Sequence, residues 1–434
     1  MSSNFYLAYL IIFTVIIIYG KPISGILLYI FSFPFINITI YFPAFDDYRP
    51  AFYLALLLTF KCFIKGIRIS QHRFVFVLGL LIVLCIVNAF FSGDVLAIKR
   101  AGLRGFGQSS LDILTAFTKN IILVFLTIWS IRNRTDLLRL FKVMVFGSLC
   151  NGAFAIFEQF YHIPSRIEAG LYRSWGFQGE SNEVGGIMVA TIPLAFYLYK
   201  NTSTRLSNFY YLMTIIILVF GIFSTVSRTA LICMIFVFSY LLIKDKKNLI
   251  MLVIVSIVML GFFTFAGNLY KERQTVKTSL AGKQRLESSA SLRLVLWQNA
   301  FQIWLKNPLL GTGLNNMRES LEKELQIRVK TGCAHNSYLQ FLAETGIIGF
   351  SIFIYLLSLN YMMVSALKVY GSFYEEITLY LRAILYSWLI FSIFFSFQFT
   401  AVYWLFLSLP FCTMQAVESE TEQTNIYGIK KQTQ

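Results

Sequence analysis

"YYLMTIIILVFGIFSTVSRTALICMIFVFSYLLIKDKK", residues 210–247, holds two long apolar runs separated by one arginine and closed by a basic cluster. Each run is close to the length a helix needs to cross the hydrocarbon of a bilayer. "KDKK" (244–247) is the kind of short basic segment that stays on the cytoplasmic side. The stretch therefore reads as a helical hairpin that leaves the cytoplasm, turns near 226–228 and returns. Arg228 sits at that turn, at the edge of the hydrocarbon. A charge there is costly unless it snorkels to the surface or lines a polar cavity, so Arg228 is a functional candidate by default.

The rest of the chain repeats this pattern. Its 434 residues are 57% apolar and 13% charged, with a mean hydropathy of +0.67. A soluble domain carries roughly twice that share of charge. The reading is an all-α polytopic membrane protein of about 12 transmembrane helices (12–13), forming one integral domain over 1–434. The expected spans are 5–19, 22–41, 51–66, 74–91, 111–131, 137–158, 184–199, 209–225, 229–243, 249–266, 345–366, 378–396 and 400–415. The N-terminus lacks a leading basic region and a small-residue cleavage site, and reads as a first span and not a signal peptide. Short basic segments at 61–73, 132–139, 200–205 and 244–247 fall on one side when the spans alternate, which makes that side the cytoplasm. The tail 416–434 joins them there, and its acidic "ESETEQ" reads as disordered. Five of the six cysteines lie in apolar runs, with Cys333 alone in a long polar loop, so no disulfide framework or thiolate metal site is expected.

Four segments then face outward: 92–110, 159–183, 226–228 and a large loop, 267–344. That loop holds more Lys and Arg than Asp and Glu. Long loops translocate whatever their charge, so a basic outer face points to an anionic ligand, with lipid headgroups as the plainer alternative. Within it, "SASLRLVLWQNAFQIWLKNPLLGTG" (289–313) places Leu294, Trp297, Phe301 and Trp304 in one helical stripe. Ser291 is a candidate N-cap, and Asn307-Pro308 a stop. Such a helix could lie on the membrane surface. Arg293, near its positive end, could face an anion. "MRESLEKELQIRVK" (317–330) reads as a second, solvated helix. The loop ends in "CAHNSYLQFLAETGIIGF" (333–350), which sets His335 and Asn336 at the outer membrane boundary. Gln340 and Glu344 would share a face if 337–344 is helical. A histidine that merely hydrogen-bonds at an interface is an equally weighted reading. Upstream, "RIEAGLYRSWGFQGESNEVGG" (166–186) gathers Arg173, Glu180 and Glu183 among glycines just before a span, as an ordinary connection or as the rim of a polar cavity.

Taken together, these stretches resemble the O-antigen ligase and Wzy-type polysaccharide polymerase superfamily. Its pattern of a histidine, Asn/Ser/Gln, nine residues, a glycine, two residues and Gly/Thr/Tyr is matched by His335, Asn336, Gly346 and Gly349. "SRTA" with Arg228 is similar to the family's arginine at the outer end of a middle span. "RSWGFQGESNEVGG" looks like its arginine–glycine–phenylalanine–asparagine segment, and 292–316 is similar to its large-loop helix, with Arg293 at the matching arginine. The likeness covers roughly 110–410. Residues 1–100 match only in being hydrophobic, and Arg166 competes with Arg173 for one role.

The resemblance implies a membrane glycosyltransferase in the cytoplasmic (inner) membrane, with its site facing the periplasm or exterior. It implies transfer of a glycan from an undecaprenyl diphosphate-linked donor to a hydroxyl of lipid A core (a ligase) or of a second lipid-linked glycan (a polymerase). His335 would be base or acceptor-orienting group, and Arg228, Arg293 and Arg173 the diphosphate ligands. Asn336, Glu180 and Glu183 would be possible sugar contacts. Imidazole titrates near neutrality and guanidinium grips phosphate oxygens in pairs, so the residue types suit those tasks. No cofactor, metal or nucleic acid is expected. A lipid-linked glycan flippase is the alternative from another class, weakened by the absence of two similar halves.

Overall fold

The computed structural model describes residues 13–16, 19–32, 57–62, 64, 73–91, 110–161, 167–168, 171–244, 288–317, 320–321, 333–398 and 400–432. Among them eleven helices run in chain order: α1 (Pro22–Ser32), α2 (Arg73–Phe91), α3 (Ser110–Ser130), α4 (Arg134–Tyr161), α5 (Ser181–Lys200), α6 (Arg205–Ser224), α7 (Arg228–Lys244), α8 (Ser288–Lys306), α9 (Ser337–Ala366), α10 (Ser372–Phe394) and α11 (Ala401–Gln432). A 3₁₀ turn, Leu367–Tyr370, joins α9 to α10. One two-residue antiparallel ladder, Ile167–Glu168 with Leu171–Tyr172, departs from the helical pattern.

Helices stand at the expected positions wherever the chain is described. The expected spans 5–19, 51–66 and 249–266 lie wholly or mostly outside the described residues, as does most of the helix expected at 317–330. Among the described residues, four helical segments are long and apolar enough to cross a membrane: Arg134–Tyr161, Arg205–Ser224, Ser337–Tyr370 and Ser372–Phe394.

Helix α5 is the centre of the bundle. It is buried along almost its whole length and is packed by α4, α6, α7 and α10. The close fit of α5 to α7 depends on Gly185, where a Cβ would stand 2.7 Å from the Ala230 Cβ. Trp388, Phe391, Phe397 and Tyr403 pack edge-to-face between α10 and α11 and close the core on that side.

Two expectations are corrected. The acidic "ESETEQ" is not an irregular tail, since α11 runs through it to Gln432. Its inner end is held by Glu420, which accepts from the Arg134 N–H at 3.0 Å and its Nε at 3.2 Å, and from the Tyr374 hydroxyl at 2.9 Å. Helix α8 starts at Ser288, a turn before the expected cap at Ser291, and ends at Lys306 as Asn307-Pro308 required.

Candidate active site

Helix α9 decides where the histidine stands. Asn336 caps its first turn, its Oδ1 accepting from the N–H groups of Tyr338 and Leu339 at 3.0 Å each. The residue before the cap, His335, is held at φ 50°, a left-handed conformation that few non-glycine residues adopt. Ser337 fixes the turn from the other side: its hydroxyl donates to the Phe395 carbonyl at 2.9 Å and accepts from the Phe397 N–H at 3.0 Å. The imidazole is half-buried, with the Cys333 Sγ 3.7 Å from each ring nitrogen. Burial, and then the positive charge of Arg293, hold its pKa down at about 4. At neutral pH the ring is uncharged. Burial also pushes the Cys333 thiol up to about 11, so it stays protonated beside the imidazole.

Helix α9 is broken at Gly346 (φ 64°, ψ −169°). The break exposes backbone groups that the loop after α8 then satisfies. Thr312 and Gly313 donate to the carbonyls of Ala343 and Glu344 at 3.0 and 2.9 Å, and the Ile347 N–H donates to the Pro308 carbonyl at 2.9 Å. Asn88 of α2 adds a bond to the Glu344 carbonyl at 3.0 Å and another to the Leu310 carbonyl. A side chain at Gly346 would collide with the Leu309 carbonyl, and one at Gly349 with Thr345. Gly346 thus has a mechanical reason, since it lets "NPLLGTG" lie against the helix, while Gly349 leaves room for the Thr345 side chain and Leu84 of α2.

The same clasp sets the position of Arg293. Leu296, Ala300 and Ile303 of α8 pack with Ala343 of α9. The stripe Leu294, Trp297, Phe301 and Trp304 is not the packed face: Leu294 and Phe301 are exposed, and the tryptophans half-buried. Arg293 is half-buried, and its guanidinium pKa is lowered first by burial and then by the charges of Arg228 and Arg173, with Glu180 opposing them. Arg293 therefore lies within electrostatic reach of Arg228 and Arg173, from segments 55 and more residues apart, and itself acts on His335.

Arg228 opens α7, one residue after Ser227 and two after Val226. Val226 is buried at φ 48°, a conformation strongly disfavoured for a β-branched residue and the sharpest departure near the site. Arg173 donates from Nε to the Thr225 carbonyl at 3.2 Å, and the Ser174 N–H donates to the Ser224 carbonyl at 3.0 Å. The loop before α5 is thereby fastened to the α6–α7 turn. The Ser227 hydroxyl donates to the Asn182 Oδ1 at 2.8 Å and closes the same joint.

Glu180 is first a helix cap. Its Oε2 accepts from the N–H groups of Asn182 and Glu183 at 2.8 and 3.0 Å, and its Oε1 from the Asn182 amide at 2.9 Å. Glu183 lies in the first turn of α5, half-buried. Asn336 likewise spends its side-chain oxygen on a cap.

Two residues of α4 escaped the sequence reading. Glu158 is fully buried, and its Oε2 accepts from the N–H groups of Trp175 and Gly176 at 3.0 and 2.7 Å. Asn151, two turns earlier on the same face, accepts from the Phe177 N–H at 3.0 Å. Together they hold the loop that carries Arg173. Carboxylate and amide groups inside an apolar run are the signal that marks them. No group of three or more His, Cys, Asp and Glu among the described residues is placed to hold a metal.

The described residues form a helical protein with segments long and apolar enough to cross a membrane, in which Arg293 lies within electrostatic reach of Arg173, Arg228 and an uncharged His335. Residues 213–354, about a third of the chain, match the family model described as O-antigen ligase, which supports the resemblance to the O-antigen ligase/polymerase superfamily. The matched segment contains Arg228, Arg293, His335 and Asn336. No curated protein matches the chain.

Proposed function

We propose that the protein transfers a glycan from a polyprenyl diphosphate-linked donor to an acceptor hydroxyl at the outer face of the cytoplasmic membrane, within a bundle of about 12 spans. The observation that supports the reading is that Arg293, whose charge depresses the His335 imidazole, is itself depressed by the charges of Arg228 and Arg173. Three cations held in partial burial repel one another, and a diphosphate relieves that repulsion while they relieve its own. The donor arrives with its leaving group activated, so the protein need only position it, stabilise the departing diphosphate and accept one proton.

In this mechanism the acceptor hydroxyl attacks the anomeric carbon, the bond from that carbon to the diphosphate oxygen breaks, and the hydroxyl proton passes to His335. Direct attack inverts the anomeric centre. An imidazole depressed to about 4 is a weak base in the empty site. Bound diphosphate places negative charge against Arg293, removes part of that depression, and so raises the basicity of His335 when the substrate is present. In this reading Glu183 and the Asn336 amide nitrogen are the candidate contacts for sugar hydroxyls, with Glu180 shaping the start of α5 through its cap. The reaction runs without a metal. Loss of turnover in EDTA and its return with Mg²⁺ or Mn²⁺ would overturn that part.

The test is turnover by the purified protein in lipid with a synthetic polyprenyl-diphosphate repeat unit, with and without lipid A core, for wild type and His335→Ala. A ladder from donor alone, absent in the variant, identifies a polymerase. A single transfer that needs the core identifies a ligase. Wild-type turnover in His335→Ala sinks the assigned role. Movement of donor between leaflets with no covalent product favours the flippase reading.

A further inference from the structure

Helix α8 has two apolar faces, and among the described residues only one is packed. Leu296, Ala300 and Ile303 pack on α9, whereas Phe301 and Leu305 are 46% and 58% exposed. The exposure continues past the helix end into the clasp: Leu309 is 64% exposed. Leu309 lies directly against the start of a membrane-crossing segment, because the Ile348 N–H donates to its carbonyl at 3.4 Å and Ile348 is itself 43% exposed.

The part of α9 after the Gly346 break, 347–366, is about 20 residues long and rises about 30 Å, the thickness of the hydrocarbon. Ile347 and Ile348 then stand at its edge, and lipid must cover them. A surface hydrogen-bonded to them shares that lipid. We infer that the Leu294–Phe301–Leu305 edge of α8, together with Leu309, is a lipid-docking surface buried in the acyl-chain boundary of the leaflet next to the site. The surface is continuous with the lipid-facing side of α9, and lipid hydrocarbon is the occupant that its composition fits.

The consequence is a site with a wall shared with the membrane. Arg293 is adjacent to Leu294, so an anionic headgroup carried in the leaflet reaches it sideways, without leaving the bilayer. The docking itself does not depend on the glycan-transfer reading, and its test is a structural one.

The experiment uses the full chain in vesicles of phosphatidylethanolamine and phosphatidylglycerol. Nitroxides are placed at 301 and 305 by Phe301→Cys and Leu305→Cys in a background with the native cysteines replaced. Ile354→Cys on the spanning part of α9 gives the membrane reference, and Ser372→Cys, exposed at the first residue of α10, gives the aqueous one. Relaxation by oxygen relative to a water-soluble nickel chelate at 301 and 305 is expected within about twofold of the ratio at 354. A ratio matching that at 372 overturns the proposal. If the cysteine-replaced background does not fold, dibrominated lipids with bromine high on the acyl chain are used instead, on wild type and Trp304→Phe. A smaller quenchable share of fluorescence in the variant is expected, and an unchanged share overturns the proposal.

Discussion

The Gln340 amide donates to the Glu344 Oε1 at 2.8 Å, while its oxygen accepts from the Ala334 N–H at 3.3 Å. The pair is buried on one face of α9, one turn apart, and the Glu344 carboxylate also accepts from the Asn315 N–H. It therefore joins the residue before His335 to the turn that follows α8. Glu344→Ala leaves buried donors without acceptors, at about 1–3 kcal/mol each. Thermal stability in detergent falls and turnover falls with it. Glu344→Gln keeps an acceptor oxygen, and recovery of both in this variant distinguishes a strut from a proton-transfer role.

Gly346 carries a sharper prediction. Any side chain there meets the Leu309 carbonyl, at a backbone conformation that L residues avoid by about 1–2 kcal/mol even in open space. Gly346→Ala opens the clasp between α8 and α9. The expected outcome is loss of turnover with α8 freed from its seat, read as new protease sensitivity between 307 and 313. A wild-type digestion pattern would show that the clasp is not needed.

Glu158 acts at a distance from the reacting atoms. Glu158→Ala frees the N–H groups of Trp175 and Gly176, and with them the loop that aims Arg173. If Arg173 binds the donor, KM for donor rises several-fold with a smaller change in kcat. Glu158→Gln, which still offers an oxygen to both donors, restores KM toward wild type. A fall in kcat alone, not rescued by glutamine, would place Glu158 in another role.

If His335 is the base, its protonation carries the pH dependence. Its pKa in the empty site is about 4, below its ordinary value, so the neutral form prevails above that pH and is lost as pH falls through it. The acid limb of kcat/KM reports the free enzyme and falls near 4, and the limb of kcat lies higher because bound diphosphate offsets Arg293. Arg293→Gln removes one cause of the depression, so the kcat/KM limb moves up, and KM for donor rises about tenfold or more from lost charge-assisted bonds. Equal limbs near 6.5 in wild type would contradict the coupling.

Much of the helical layout was legible in the chain because hydropathy is local. The runs around Arg228 gave α6, α7 and the turn between them, whereas α9, expected as a span from 345, starts at Ser337. The spacing of Gln340 and Glu344 gave their shared face, since a helix alone fixes i and i+4. What lay beyond reach depended on which elements meet. Nothing in "NPLLGTG" says that it will replace backbone partners lost at Gly346, and Glu158 looks like a lone polar residue until Trp175 and Gly176 fold onto it. The stripe on α8 was read as one apolar face, yet a second face made the contact with α9, because a helix apolar on more than one side does not declare which side its neighbour will take. The sequence by itself determined the class of protein, the helices and the residue types able to bind an anion and accept a proton. Only tertiary structure decided that Arg293 feels both Arg173 and Arg228 and itself acts on His335, since that depends on long-range packing across loops whose closure no local pattern encodes.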